Sequence, residues 1–155
     1  PNQDWIWQPG GLGVFDPGIN ALSIATHILP AMFITAATLE FPENRASPIA
    51  AKIDFRTADG FAVTADFDWR QTGPQSWDIL AETDAGSMLL SGGGAKLSID
   101  GKIVHDEQEA EYPMLYRRFA ELIHAGASDV DLAPLQHVAD AFMLGRRTVV
   151  EAFHD

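Results

Sequence analysis

Apolar residues recur along the chain with two different periods, and the changes of period divide it into three stretches. In the first, Ile19, Leu22, Ala25 and Ile28 follow one another at helical spacing. Asp16 stands directly before Pro17, a pairing suited to a helix start: carboxylate as cap, proline at the first helical position. Pro30 stops the run. The pattern predicts a helix over 17–29, approached through the flexible Gly10, Gly11 and Gly13.

In the second stretch the period becomes two. Ile49, Ala51, Ile53 and Phe55 alternate with Ala50, Lys52, Asp54 and Arg56. After Asp59-Gly60, a hairpin signal, Phe61, Val63, Ala65, Phe67 and Trp69 alternate with Ala62, Thr64, Asp66, Asp68 and Arg70. Each strand therefore has an apolar and a polar face, and Trp69 is expected to pack against a helix. Another strand is predicted over 33–41, and later ones over 76–83, 87–90, 96–99 and 102–105. Gly86, Gly92 to Gly94 and Asp100-Gly101 supply the turns. Turns this short imply antiparallel neighbours.

The third stretch returns to helical spacing. Tyr112-Pro113 opens a helix with Leu115, Phe119, Leu122 and Ile123 on one face, ended by Gly126. A last helix is predicted over 133–153 from Leu135, Val138, Phe142, Val149 and Val150. Strands and helices are thus segregated. The expected class is α+β: one domain with an open, predominantly antiparallel sheet and helices packed on one face. The charged face, with Lys52, Asp54, Arg56, Asp66, Asp68 and Arg70, is either wet or buried against a partner.

Charge narrows the partners. Twenty-two acidic residues against 10 basic ones give a net charge of −12, which repels phosphate backbones and anionic lipid. Neither nucleic-acid nor membrane binding is expected, and no apolar run approaches the ~20 residues a bilayer needs. There is no cysteine, so disulfides, thiolate metal sites and a cysteine nucleophile are excluded, and the composition fits the cytoplasm. The chain opens on Pro1, shortly before Trp5-Ile6-Trp7, and is expected to be a piece of a longer one. No Gly-x-Gly-x-x-Gly follows a strand; Gly92-Gly93-Gly94 lies between two short strands and reads as a hairpin turn. No bound cofactor is expected in this chain. His27, His105, His124, His137 and His154 lack the spacing of a zinc site and are expected at the surface or packed, so no metal site is predicted. Arg117-Arg118 and Arg146-Arg147 are expected on helices, balancing the acidic surface.

The candidate chemistry lies in the stretch from Gly10 to Leu22. Asp16 and Asn20 are four residues apart, neighbours on one helix face. A carboxylate and an amide so placed are able to hold two adjacent hydroxyls, as a sugar presents them. On spacing alone the competing reading stands: Asp16 as a helix cap and Asn20 as a solvated residue. Four tryptophans, Trp5, Trp7, Trp69 and Trp77, offer aromatic faces suited to pyranose rings. Trp5 and Trp7 are the leading candidates because they precede Asp16 closely. Trp77 remains open, and core packing is the alternative for each.

This stretch resembles the start of the C-terminal domain of the Gfo/Idh/MocA oxidoreductases. Their pattern is a glycine cluster followed by Asp-x-Gly-x-His-x-x-Asp on a helix. Gly10, Gly11 and Gly13 match the cluster, Asp16 the first Asp and Gly18 the Gly; Asn20 replaces the His and Ser23 the last Asp. The likeness covers nearly the whole chain and implies a dihydrodipicolinate-reductase-like fold. Asp16 with Asn20, after Trp5-Ile6-Trp7, is similar to a subgroup of aldose 1-dehydrogenases acting on L-arabinose or D-galactose. The resemblance implies oxidation at the anomeric carbon to a lactone, with NAD or NADP held by a Rossmann domain outside this chain. It also implies Asp16 and Asn20 at the anomeric hydroxyl, and Trp5, Trp7 and Trp77 around a monosaccharide. Asp16 would assist deprotonation beside a lysine from the nucleotide domain; without the family His, the base is unassigned. A homodimer through the open face of the sheet is expected. The alternatives are a non-catalytic sugar-binding or dimerisation module, and a domain of an inositol- or glucose-type dehydrogenase.

Overall fold

The computed structural model describes residues 3–106 and 111–154; Pro1, where the chain opens, lies outside them. The chain divides into two compact units, 1–72 with 131–155, and 73–130.

The first unit begins with a 3-10 turn, Asp4–Trp7. Helix α1, Phe15–Ile28, follows. Three strands come next: β1 (Met32–Pro42), β2 (Ala50–Thr57) and β3 (Ala62–Asp68). After the second unit the chain returns as α3 (Ala133–Leu144) and β8 (Arg146–Val150). The sheet order is β3-β2-β1-β8, antiparallel except for the parallel β1–β8 pair. The period-two pattern works as expected. Ala51, Ile53, Phe55 and Thr57 point inward while Lys52, Asp54 and Arg56 are exposed. The inward set meets Phe15 and Leu22 of α1 and Val138 and Ala141 of α3, so both helices cover one face. On the outer side Arg70 grips both oxygens of Asp68 and reaches Glu40 at 2.6 Å. Its hydrogen bonds hold the Asp68 carboxyl below its usual pKa.

The second unit is a four-stranded antiparallel meander, β4 (Ile79–Thr83), β5 (Gly86–Ser91), β6 (Lys96–Ile99) and β7 (Lys102–Asp106), followed by α2 (Glu111–Ala125). Asp100-Gly101 turns with both residues at positive φ, as a two-residue hairpin requires. Gly92 to Gly94, all at positive φ, form the β5–β6 turn.

Two expectations fail locally. The last helix does not reach residue 153. It ends at Leu144, and residues 146–150 form a strand beside β1, so Arg146 and Arg147 lie on β8 rather than on a helix. Thr148, Val149 and Val150 are β-branched and favour that extended state. The strands also form two sheets of four rather than one meander.

Candidate functional site

The tract that leads to α1 is held by backbone contacts. Gly13 N–H donates to Ile6 C=O and Val14 N–H to Pro48 C=O, at 3.0 and 2.8 Å. Gly13 is at φ +57°, and a side chain there would strike Pro48; one at Gly11 would strike Ile6. The N–H groups of Phe15 and Asp16 are taken by Leu12 and Gly13 carbonyls at 3.2 and 3.0 Å. These turn bonds satisfy the first donors of the helix without a side chain. The helix therefore starts at Phe15 with Val14 at the cap position, and no side-chain cap bond is made. Asp16 is not the N-cap that the Asp-Pro pair suggests.

Asp16 is half-buried in the first turn, and Asn20 is exposed one turn on. Among the described residues neither side chain has a hydrogen-bond or ion-pair partner, so both are available to a ligand. Gly18, between them, is buried; a Cβ there would lie 3.2 Å from the Phe67 ring. The absent side chain lets α1 lie closely over β3.

The tryptophans separate by exposure. Trp5 is 55% exposed, whereas Trp7 is 3% exposed, its ring edge-on to Trp69 at 5.1 Å and near Phe153 at 5.6 Å. The ring of Trp7 is thus used in packing. Trp69, expected against a helix, has its edge-on ring contact with Trp7 in the 3-10 turn instead. Trp77 stands before β4 in the second unit, half-buried.

Ser47 was not legible as part of this region. It is 1% exposed, and its hydroxyl lies 3.1 Å from Gln8 C=O and 2.9 Å from Gly11 C=O. A serine in a loop between Arg45-Ala46 and Pro48 gives no sequence signal of such a contact.

A cavity of about 350 Å³ opens at the other end of α1. Thr26, Pro30, Phe33, Gln136, His137 and Asp140 are among its lining residues, and Asp16 and Asn20 are not. His137 is 9% exposed; its Nδ1 has no partner, and its ring meets Phe55 edge-on at 5.3 Å. Burial pushes its pKa down, against the opposing pull of Asp140 and Asp131. The other four histidines are exposed, and no metal-ligating group of three or more is found among the described residues.

The one run of three glycines forms a β-hairpin turn rather than a strand-to-helix turn, so it has no helix N-terminus to face a pyrophosphate. No described helix is long and apolar enough to cross a membrane.

No family model matches the sequence. The chain is 49% identical to the galactose 1-dehydrogenase of Pseudomonas fluorescens, over 100% of this chain and 51% of that protein. Among solved structures, D-galactose-1-dehydrogenase from Rhizobium etli is 75% identical with a TM-score of 0.93, covering 99% of this chain and 50% of that one. A mutant of KijD10, a 3-ketoreductase from Actinomadura kijaniata solved with TDP-benzene and NADP, shares the fold at a TM-score of 0.76 and 14% identity, over 93% and 51% of the two chains. The chain spans about half the length of the relatives it matches. Along its whole length the chain is similar to half of each galactose 1-dehydrogenase, and its α+β fold is that of oxidoreductases of the Gfo/Idh/MocA kind that its sequence resembles.

Proposed function

We propose that this chain is the substrate-binding half of an NAD(P)-dependent aldose 1-dehydrogenase. D-galactose is the leading substrate and L-arabinose, which has the same configuration around most of its ring, the second. The observation that carries the reading is the Asp16 and Asn20 pair, without partners among the described residues and one turn apart on α1, in a chain 75% identical to half of a D-galactose-1-dehydrogenase. In this reading the Asp16 carboxylate accepts a hydrogen bond from the anomeric hydroxyl and assists its deprotonation. The Asn20 amide orients the same hydroxyl or its neighbour. The exposed ring of Trp5 offers a face to the sugar. Trp7 contributes by supporting the glycine tract from within the core.

NAD or NADP supplies the hydride acceptor and is held by residues outside this chain; the product is a lactone. The reading includes a cytoplasmic setting and a homodimer. The outer face of the first sheet, with Lys52, Asp54 and Arg56, carries both signs of charge and suits an isologous contact.

The test is sugar-dependent reduction of NAD and NADP by the full-length polypeptide carrying this sequence. Turnover with D-galactose is expected, and none with the isolated 155-residue chain. A full-length protein that binds galactose without reducing either nucleotide would establish the non-catalytic alternative. Light scattering of the full-length protein tests the dimer, and a monomer alone would remove it.

A further inference from the structure

The tract from Gln8 to Val14 sets where α1 begins; Leu12 and Val14 pack into the core, but Gly10, Gly11 and Gly13 bring no side chains to fix its path. What holds it is the connection between β1 and β2. Ala46 N–H donates to Trp7 C=O at 3.0 Å, and Pro48 C=O accepts from Val14 N–H at 2.8 Å. Between these two bonds, the Ser47 hydroxyl faces Gln8 C=O and Gly11 C=O at 3.1 and 2.9 Å. One hydroxyl has one proton, so the two carbonyls share it as a three-centre bond. Ser47 itself is 1% exposed, and loss of its hydroxyl would leave the two carbonyls short of a donor. The connection is itself fixed to the sheet, since Ile49 N–H donates to Glu40 C=O at 2.8 Å.

The mechanical consequence runs along the chain. Gly11 lies five residues before Asp16, and the three intervening N–H bonds of Gly13, Val14 and Phe15 all depend on the path the tract takes. A tract that relaxes at Gly11 shifts the first turn of α1, and with it the Asp16 carboxylate. Phe15 in that turn and Leu22 further along are both buried in the core, so the shift is a small one. A small displacement at one end of a packed helix is enough to spoil a reacting geometry.

We infer that Ser47 is a positioning residue: its hydroxyl locks the glycine tract and so places Asp16 and Asn20 against the sugar. This rests on the reading of those two residues as the sugar-binding pair. The test uses the full-length enzyme and compares Ser47→Ala, Ser47→Cys and Val138→Ala. Val138 is buried on α3 and serves as a control for loss of stability alone. Ser47→Ala is expected to lower kcat for galactose roughly 10- to 100-fold, with the KM for the nucleotide unchanged. Ser47→Cys, which keeps the size and weakens the donor, is expected to fall between wild type and Ala; it carries the test if Ala does not fold. Val138→Ala is expected to lower Tm while leaving kcat unchanged. Wild-type turnover with an unchanged kcat in both Ser47 variants would overturn the inference, as would an equal loss of kcat in Val138→Ala. Absence of wild-type turnover would instead remove the sugar-oxidation reading, and this inference with it.

Discussion

The indole of Trp7 stands edge-on to that of Trp69, with ring centroids 5.1 Å apart and planes at 80°. The pair ties the 3-10 turn to the end of β3. Ile6, Ile49 and Ala50 complete the buried cluster around it. Edge-to-face geometry adds to the apolar area each ring buries. Trp7→Ala is therefore expected to cost about 3–5 kcal/mol, the usual range for removing a buried aromatic. Trp5→Ala, two residues away and largely exposed, should leave stability almost unchanged and weaken sugar binding in the full-length enzyme. Urea denaturation of both variants, with galactose KM measured alongside, checks the contrast. A Trp7→Ala protein as stable as wild type would show that the packing contact carries little.

Asp16 gives a second contrast. The helix start makes no use of its side chain, because turn carbonyls already occupy the nearby N–H groups. Loss of a true Asp cap costs about 1 kcal/mol. Asp16→Ala is expected to leave Tm essentially unchanged while lowering kcat roughly 10²- to 10⁴-fold, the usual contribution of a positioned acid or base. The reverse pattern, a lower Tm with intact turnover, would return Asp16 to a structural role.

His137 predicts how stability varies with pH. Burial disfavours its charged form, so its folded pKa lies below the ordinary value of 6.5. Asp140 and Asp131 act in the opposite sense and do not overcome it. In the unfolded chain the ring protonates near the ordinary value. Below that pH the unfolded state therefore binds the extra proton and the folded state does not. This contribution to stability is complete above about pH 6.5 and is lost progressively as pH falls from there toward the folded pKa. Denaturation midpoints at about pH 8 and about pH 5 should differ more for the wild type than for His137→Leu. Equal differences for the two proteins would show that the ring titrates normally.

How much of this was legible in the sequence depended on whether a feature was local. The alternation from Ile49 to Trp69 predicted β2 and β3 within one or two residues, because every second side chain meets the same core. The Asp16–Asn20 pair was legible because four residues make one helical turn. Three features were not. The exposure of Trp5 and the burial of Trp7 are set by Trp69 and Phe153, more than 60 and 140 residues away, so composition treats the two tryptophans alike. The Ser47 contact joins segments 36 and 39 residues apart. The boundary at residue 145 was hidden because Phe142 and Val149, seven residues apart, match a helical repeat by coincidence while lying on different elements.

Gly145 makes that boundary testable. It caps α3 by donating its N–H to Ala141 C=O at 2.9 Å, and its backbone is extended at ψ 142°. Its φ of −71° suits any residue, so conformational freedom is not why glycine stands here. Space is the reason. A Cβ would run into the Ala141 carbonyl and lie 3.3 Å from the side chains of Ala37 and Leu39 on β1. The chain has to pass that close to enter β8 in register, with Thr38 opposite Arg146 and Leu39 opposite Arg147. Gly145→Ala removes some conformational entropy from the unfolded chain, a gain of about 0.4–1 kcal/mol. Against this stands overpacking, which costs typically 1–3 kcal/mol. The Ala141 contact is with backbone that cannot swing aside, so the cost is expected to win. A net loss of about 1–2 kcal/mol follows, read as a lower urea midpoint. Hydrogen exchange should quicken at the amides of residues 146–150, which pair with β1, more than at those of β2 and β3. A variant as stable as wild type, with β8 still protected, would show that the crossing from α3 to β8 has room to spare.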